Sequence, residues 1–327
     1  MSLGFLGRSL NLFFFSELLR TPCLAGPGPD RGRGRQANFE LRTCGLDRRL
    51  FLRWLLGLPL LSFFPLYGRE SRADLLNMSP TKRGGSISDF FKGEELVYEI
   101  GVWILKRVAL GTLSFKEMRE KNRYMAVLQA ETLGILGWVA RYRVDTYRSV
   151  MEEVEGGRRL RSLSFEEDVK IGSKLMKRIH VFDYEKGKWV QERRRKDGVM
   201  VRTEEEIPPG KVYDDFLTAT YNFRYGVYGA IERGRKYSVA TFPRKGSSSY
   251  ELTVAGKEEE EKRRKSEKSK DGKDFYLKLY LDPEITHSKE GLIEGWLSKD
   301  LYPIEGAIKD VTLIGDVKGR LIKNTRG

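Results

Sequence analysis

Carboxylates are the side chains of this sequence that are best suited to acid–base chemistry. Five of them lie in distinctive local patterns: Glu94, Asp145, Asp214, Asp215 and Asp300. A hydrolase would place two such groups across a cleft, one as the general acid and the other as base or nucleophile. A structural role is the alternative, because carboxylates stabilise the N-terminus of a helix and aspartate closes turns. We therefore assign no catalytic residue.

The remaining composition limits other kinds of chemistry. The 327 residues include two His and two Cys, whereas a structural zinc site takes four side chains of these kinds. No metal or other cofactor is predicted. Neither His180 nor His287 is accompanied by one of the nucleophile or zinc motifs G-x-S-x-G, S-x-x-K and H-E-x-x-H, so a histidine-based enzyme is not favoured. An enzyme is less favoured than a non-catalytic protein.

Residues 45–73 have the order of a signal peptide: a basic start, an apolar stretch of about 14 residues and small residues at a cleavage site near Ala73. The apolar stretch is shorter than the roughly 20 residues that cross a bilayer. The basic start matches the twin-arginine export consensus R-R-x-F-L-K at Arg48, Arg49, Phe51 and Leu52. An ordinary Sec signal that begins with two arginines is the alternative. Both predict recognition by export machinery and a periplasmic, envelope-associated protein.

Residues 1–44 show no packing pattern. They are either an unstructured segment or the product of a start assigned upstream of the true one, and LNLFFFSELL at 10–19 could also form a membrane-seeking helix. Cys23 and Cys44 both precede the expected cleavage site. The exported domain is therefore expected to contain no disulfide.

Apolar and polar residues alternate through most of the remaining chain, as they do in half-buried strands. Residues 74–91 carry Ser, Pro and paired Gly and predict a linker, followed by a single antiparallel β domain over 92–322. One segment, Asp214–Arg224, has apolar residues at helical spacing behind two aspartates. The prediction is a mainly β fold, with a large curved antiparallel sheet or β-barrel around one central helix.

The predicted helix has consequences for the concave face of such a sheet. A face with Phe216, Leu217, Thr220 and Tyr221 is expected to pack on part of it. Arg224, near the helix end, is expected to form an ion pair with a carboxylate at the edge of the core. The rest of the concave face is expected to be lined by strand residues such as Tyr98, Ile100 and Leu113.

Residues 257–274 are nearly all charged, with acids first and bases following. Acids four residues ahead of bases favour a short exposed helix. Two solvated strand ends joined by a turn at Asp271-Gly272 are the alternative.

Four patterns occur in order along the domain. They are Gly93, Glu94, Leu96 and Tyr98 with a later Gly111; Asp145 and Ser149; Asp214 to Leu217 with Tyr221 and Arg224; and Trp296 to Asp300 with Pro303. Together they resemble the domain of unknown function 3108 family of exported bacterial proteins, from whose pattern the tract at 257–274 departs. The resemblance implies antiparallel strands and an extracytoplasmic site of action. It implies no reaction, because the activity of that family is unknown.

Three functional hypotheses follow. The favoured one is a non-catalytic envelope module that holds a lipid or another amphipathic ligand in its curved sheet. The others are a structural or partner-docking periplasmic protein and a carboxylate-dependent hydrolase of envelope polymer. The formal charge of +14 would suit nucleic acid, but an exported protein does not meet it. The oligomeric state is left open.

Overall fold

The computed structural model describes residues 85–325 except 104, 195–197, 245–246, 268–271, 282, 287 and 313–314. The export-signal residues Arg48, Arg49, Phe51 and Leu52 lie outside the described residues. The strands are β1 Glu95–Val102, β2 Leu105–Glu117, β3 Arg123–Thr132, β4 Val144–Val154, β5 Arg159–Ile171, β6 Lys174–Asp183, β7 Lys188–Arg194, β8 Met200–Glu206, β9 Lys236–Arg244, β10 Ser247–Val254, β11 Phe275–Tyr280, β12 Leu292–Leu297, β13 Pro303–Val311 and β14 Gly315–Thr325. The helices are α1 Ile87–Phe91, α2 Gly134–Val139, α3 Phe216–Tyr225, α4 Lys257–Ser266 and α5 Pro283–Thr286.

In the described part of the chain, the fourteen strands form one antiparallel sheet. Its order is β8-β7-β6-β5-β4-β3-β2-β1-β14-β13-β12-β11-β10-β9. Strands β1 and β14 pair in the middle, whereas β8 and β9 are the edges, and no pairing between described residues joins them. The predicted mainly β, antiparallel fold is confirmed as an open sheet.

Strand alternation gives the sheet an inner and an outer face. In β14, Val317, Gly319 and Leu321 face inward, while the exposed Lys318 and Arg320 between them face outward. Inward-facing residues of β1–β5 and of β9–β14 line one common cavity together with α3. Two distant parts of a sheet can border one space only when the sheet wraps around it.

Helix α3 lies on the concave side and packs against β3, β4 and β5. Leu217 and Tyr221 are buried in the largest core cluster, together with Phe115 of β2 and Leu160 of β5. The helix ends at Gly226, whose φ of 92° is a left-handed conformation that favours glycine.

Helix α1 lies in the segment for which the sequence predicts a linker. Ser86 and Asp89 form a capping box at its start. Ile87 and Phe91 are fully buried, and the Ile87 amide donates a hydrogen bond to Gly157 O at 2.8 Å. The linker prediction therefore does not hold for residues 86–91, because Ile87 and Phe91 pack in the core cluster just before β1 begins at Glu95.

Helix α4 forms in the charged tract, as one of the two alternatives predicts. Acidic side chains occupy its first turn and basic ones its last, which complements the helix dipole. The helix lies on the sheet through Glu260, which accepts from the Tyr276 amide at 3.3 Å, and Arg263, which pairs with Glu294 at 2.7 Å.

The antiparallel order gives the sheet two ends. The end that β1 reaches at Val102 carries the β1–β2, β3–β4, β5–β6, β11–β12 and β13–β14 connections with α2 and α5, together with the end of β7 and the start of β8, where Arg194 pairs with Met200. We call it the rim end. The opposite end, the helix end, carries α1, α4 and the connection that contains α3. In the described segments, no helix is both long and apolar enough to cross a lipid bilayer.

Candidate ligand-binding cavity

A buried ion pair attaches α3 to the start of β1. The guanidinium of Arg224 binds both carboxylate oxygens of Glu94, at 2.6 and 2.7 Å, and its Nε donates to Leu301 O at 2.8 Å. Both side chains are at most 1% exposed. The ring of Phe91 lies 4.7 Å from the guanidinium carbon, a cation–π contact. Two of the patterns found in the sequence, around Glu94 and around Arg224, thus meet here.

Asp215 is the N-cap of α3. Its Oδ1 accepts from the amides of Leu217 at 2.9 Å and Thr218 at 3.1 Å. Its Oδ2 accepts from the hydroxyls of Ser149 in β4 and Ser162 in β5, at 2.6 and 2.8 Å. Five hydrogen bonds in all, including one from the Thr218 hydroxyl, occupy this fully buried carboxylate. It fixes the helix start to two strands.

Asp214 is held by a different set of groups. Its Oδ2 accepts from Arg159 Nη2 at 2.9 Å, from Asn222 Nδ2 at 3.2 Å and from the Tyr228 hydroxyl. Burial raises the pKa of Asp214 to about 6, although the charge of Arg159 lowers it. Asn222 also bonds the backbone N and O of Leu160, at 3.0 and 2.9 Å. These bonds attach the middle of α3 to β5.

The helix fills only part of the concave side. Towards the rim end a cavity of about 590 Å³ remains, within the roughly 300–1,000 Å³ range of small-molecule sites. Its wall is mostly apolar and includes Ile100, Leu128, Phe165, Phe216, Phe223, Val239, Leu252, Leu277, Leu279, Ile293, Ile308 and Val317. Tyr98 and Ile100 line it as the sequence predicts. Leu113 does not: it is packed in the core cluster.

The division of α3 between core and cavity also differs from the expectation. Leu217 and Tyr221 pack in the core, whereas Phe216 and Thr220 border the cavity. The expected single face is thus split: α3 packs along its length on β3–β5, and on the other side its Phe223 packs against Tyr237 of β9 and Leu297 of β12, with the cavity between these contacts and the β9–β14 wall.

A row of glycines accounts for much of the space. Gly295 pairs with Gly306 and Gly306 with Gly319, across the adjacent strands β12, β13 and β14. All three border the cavity. A Cβ at Gly319 would meet nothing within 4 Å, and one at Gly306 would meet only Glu294 O at 3.8 Å. A Cβ at Gly295 would lie 3.1 Å from Glu305 O, so the close approach of the β13 backbone favours glycine there, whereas Gly306 and Gly319 leave open space.

A few polar side chains interrupt the apolar wall. Asp145 borders the cavity and is paired with Arg143, at 2.8 and 3.0 Å. Burial raises the pKa of Asp145, and the Arg143 charge opposes this. Burial also raises the pKa of the Tyr250 phenol, so that this hydroxyl is a neutral hydrogen-bonding group in the wall. An amphipathic ligand could use such groups for orientation.

The other residues singled out in the sequence have mixed positions. Tyr98 borders the cavity, and its hydroxyl donates a hydrogen bond to Pro303 O at 2.8 Å. Trp296 also borders the cavity. Its indole packs against the ring of Tyr276, with 4.9 Å between the ring centroids, and the guanidinium carbon of Arg264 lies 5.0 Å from the indole centroid. Asp300 lies in the turn before β13, partly exposed. The structure thus brings Glu94, Arg224 and Tyr98 together, and Arg224 bonds the backbone of Leu301, the residue that follows Asp300.

The glycine row and the Asp145–Arg143 pair were not identified as a site by sequence reasoning. The signal for the first was present, since each glycine interrupts an otherwise regular strand. The three glycines are aligned by the register of β12, β13 and β14, and this register cannot be inferred from the sequence of each strand alone.

Comparison with known proteins identifies one family. The family model described as a protein of unknown function (DUF3108) matches residues 97–322, more than half of the chain. A solved structure of a β-barrel-like protein of the domain of unknown function DUF1849 from Brucella abortus is similar at 10% identity with a TM-score of 0.38, over 71% of this chain and 96% of that one. No curated protein matches the chain significantly.

Proposed function

The chain belongs to the DUF3108 family, whose members have no assigned activity, and we propose that it is a non-catalytic module that holds the apolar chain of a lipid or a similar amphipathic molecule. The observation that carries this proposal is the cavity of about 590 Å³ with its apolar wall. Burial of an acyl chain there would contribute roughly 0.8 kcal/mol for each CH₂ removed from water.

The way in which α3 is held supports binding in preference to hydrolysis. A hydrolase needs carboxylates that can exchange protons with a substrate. Glu94 is occupied by Arg224, and Asp215 by five donors that include the helix amides. Glu94 and Asp215 hold α3 in place, and α3 forms one side of the cavity. These motif residues therefore contribute to the ligand site by positioning the helix.

We further propose that this module works in the periplasm. Support comes from the sequence alone: the twin-arginine pattern at Arg48 and Arg49 and the signal-like segment 45–73. In the envelope, a lipid is the apolar ligand in greatest supply. A carrier or sensor of such molecules there requires a cavity of this kind.

The experiment is an extraction followed by a titration. The full chain is expressed in an exporting bacterium, and the protein that is recovered is extracted with organic solvent and analysed by mass spectrometry. The stripped protein is then titrated with the fluorescent fatty acid 11-dansylaminoundecanoic acid. We expect a co-purified amphiphile and saturable fluorescence enhancement. The absence of both would refute the proposal.

Two variants with the same substitution locate the binding. Ile308 borders the cavity on β13, whereas Ile322 is 52% exposed on the outer face of β14. Ile308→Lys is expected to abolish probe binding because it places a charge in the apolar space. Ile322→Lys is expected to bind as the unmodified chain does; an equal loss in both variants would show that the probe binds elsewhere.

A further inference from the structure

We propose that the rim end docks on the surface of a membrane that contains anionic phospholipid, so that a ligand can pass between bilayer and cavity. This inference rests on the proposed function, because it names the partner from which the cavity would be filled. It concerns a different surface, however, and can be tested separately.

The first support is the distribution of exposed apolar side chains. Among the described residues, ten large apolar side chains are exposed, and eight of them lie at the rim end. These eight are Trp103, Ile135, Trp138, Tyr142, Leu175, Val199, Met200 and Tyr280. The other two, Val181 and Ile322, lie within strands away from the rim end. Scattered exposed apolar residues are ordinary, but their concentration at one end indicates a contact surface.

The residue types favour a bilayer interface as the partner. Trp138 is 70% exposed and Tyr142 is 61% exposed. Trp and Tyr place an apolar ring among lipid chains and a polar group at headgroup level, and they are enriched where proteins meet membrane interfaces.

The charges around these side chains have the sign that attracts anionic headgroups. The exposed basic residues described at the rim end are Lys106, Arg107, Arg141, Lys170, Lys174, Arg194 and Lys289. The exposed acidic ones described there are Glu131, Glu290 and Asp310. The basic excess complements a negative membrane surface.

The cavity reaches this surface. Tyr280 borders the cavity and is also 52% exposed at the end of β11, and Leu281, which follows it, borders the cavity as well. A bilayer in contact with the rim end would therefore lie next to the apolar wall. A lipid chain would then move from one apolar environment to another, with little exposure to water.

The test is co-sedimentation of the full chain with vesicles, either of phosphatidylcholine alone or of equal parts phosphatidylcholine and phosphatidylglycerol. We expect stronger binding to the anionic vesicles, weakened by added salt. Trp138→Ser combined with Leu175→Ser should reduce the partition coefficient about tenfold or more, from the lost apolar contact. Val181→Ser combined with Ile322→Ser is the control: it removes as many exposed apolar side chains away from the rim and should leave binding unchanged.

A second pair of variants tests the charges. Lys170→Glu combined with Lys174→Glu should weaken binding to anionic vesicles by about fivefold for each unit of charge altered near the surface. Lys262→Glu combined with Lys265→Glu makes the same change on the exposed face of α4, at the helix end, and should have little effect. All variants carry the same N-terminal segment, so any contribution from that segment is common to them.

The outcomes separate this inference from the proposed function. The rim double variant should still bind 11-dansylaminoundecanoic acid in solution, since neither Trp138 nor Leu175 borders the cavity. Loss of vesicle binding with intact probe binding supports docking. Equal vesicle binding by all variants overturns it, as does a rim variant that changes only self-association in size-exclusion chromatography. Failure of probe binding in the unmodified chain refutes the cavity function, whatever the vesicles show.

Discussion

The glycine row permits a quantitative test of the cavity. Gly319→Leu places a side chain of four carbon atoms at a position where a Cβ meets nothing within 4 Å, so the substitution should be tolerated by the fold. Those atoms displace about four methylene groups of a long ligand. At roughly 0.8 kcal/mol for each CH₂, the loss is about 3 kcal/mol, or roughly a two-hundredfold rise in Kd for a chain that fills the cavity.

The assay is displacement of 11-dansylaminoundecanoic acid by saturated fatty acids of increasing length. In the unmodified chain, each added CH₂ should lower Kd by roughly fourfold until the cavity is full. In Gly319→Leu, the slope should be the same for short acids, but the plateau should begin about four carbons earlier. Short acids should bind both proteins equally.

The control is Arg320→Leu, which introduces the same side chain one residue further on, at an exposed position of β14. It should follow the unmodified curve. A Kd independent of chain length, or an identical loss in both leucine variants, would refute the reasoning that the apolar cavity is the binding site.

Three further predictions concern the supports of the cavity and the route of the protein. Arg224→Met leaves Glu94 as a buried charge without its partner and should lower the free energy of unfolding in urea by about 3–5 kcal/mol, whereas Glu94→Leu in the same chain should restore much of the loss. Asp214→Asn should gain stability relative to the unmodified chain as the pH rises from about 4 to 7. The pKa of Asp214 in the folded protein is about 6, above the ordinary value of 3.8. The unmodified chain is therefore stabilised by protonated Asp214 at low pH and loses this stabilisation as the pH rises through 6, whereas Asn does not titrate. Arg48→Lys with Arg49→Lys should block export, measured by fractionation.

Each of these has its own contrary result. A double Glu94→Leu, Arg224→Met variant as unstable as the single one would mean that the pair is not the cause. A stability difference for Asp214→Asn that is flat across the pH range would mean that this carboxyl does not titrate there. An Arg48→Lys, Arg49→Lys variant found in the periplasm in the amount of the unmodified protein would contradict export through the twin-arginine pattern.

The fold could be predicted from the sequence because its signals are local. Alternation identifies strands, and the helical spacing after Asp214 identifies α3, which begins at Phe216. The helix α1 was missed because a single turn of five residues is too short to show a period. Whether the sheet closes into a barrel depends on pairing between β8 and β9, and no local pattern reports that.

The candidate site was predictable only in part, for a similar reason. The position of Arg224 near a helix end indicates an ion pair, but its partner Glu94 lies 130 residues away. The spacing around Asp214 and Asp215 suggests two capping groups; the structure uses Asp215 as the cap and binds Asp214 to Arg159. A cavity is the space that side chains leave unfilled. To predict it, one must know the register of strands from both halves of the chain, because both halves line it.

The pairing of β1 with β14 has a consequence for the order of assembly. Every other neighbouring pair in the sheet is consecutive along the chain, so β1–β8 and β9–β14 can each zip up as a local meander. The last seam joins residues as far apart as Glu95 and Thr325 and must close the longest loop. A nascent chain therefore keeps β1 as an unpaired edge until β14 has been synthesised. Deletion of β14 should expose two edges in the middle of the sheet and promote aggregation, whereas deletion of β8 only moves an existing edge inward by one strand.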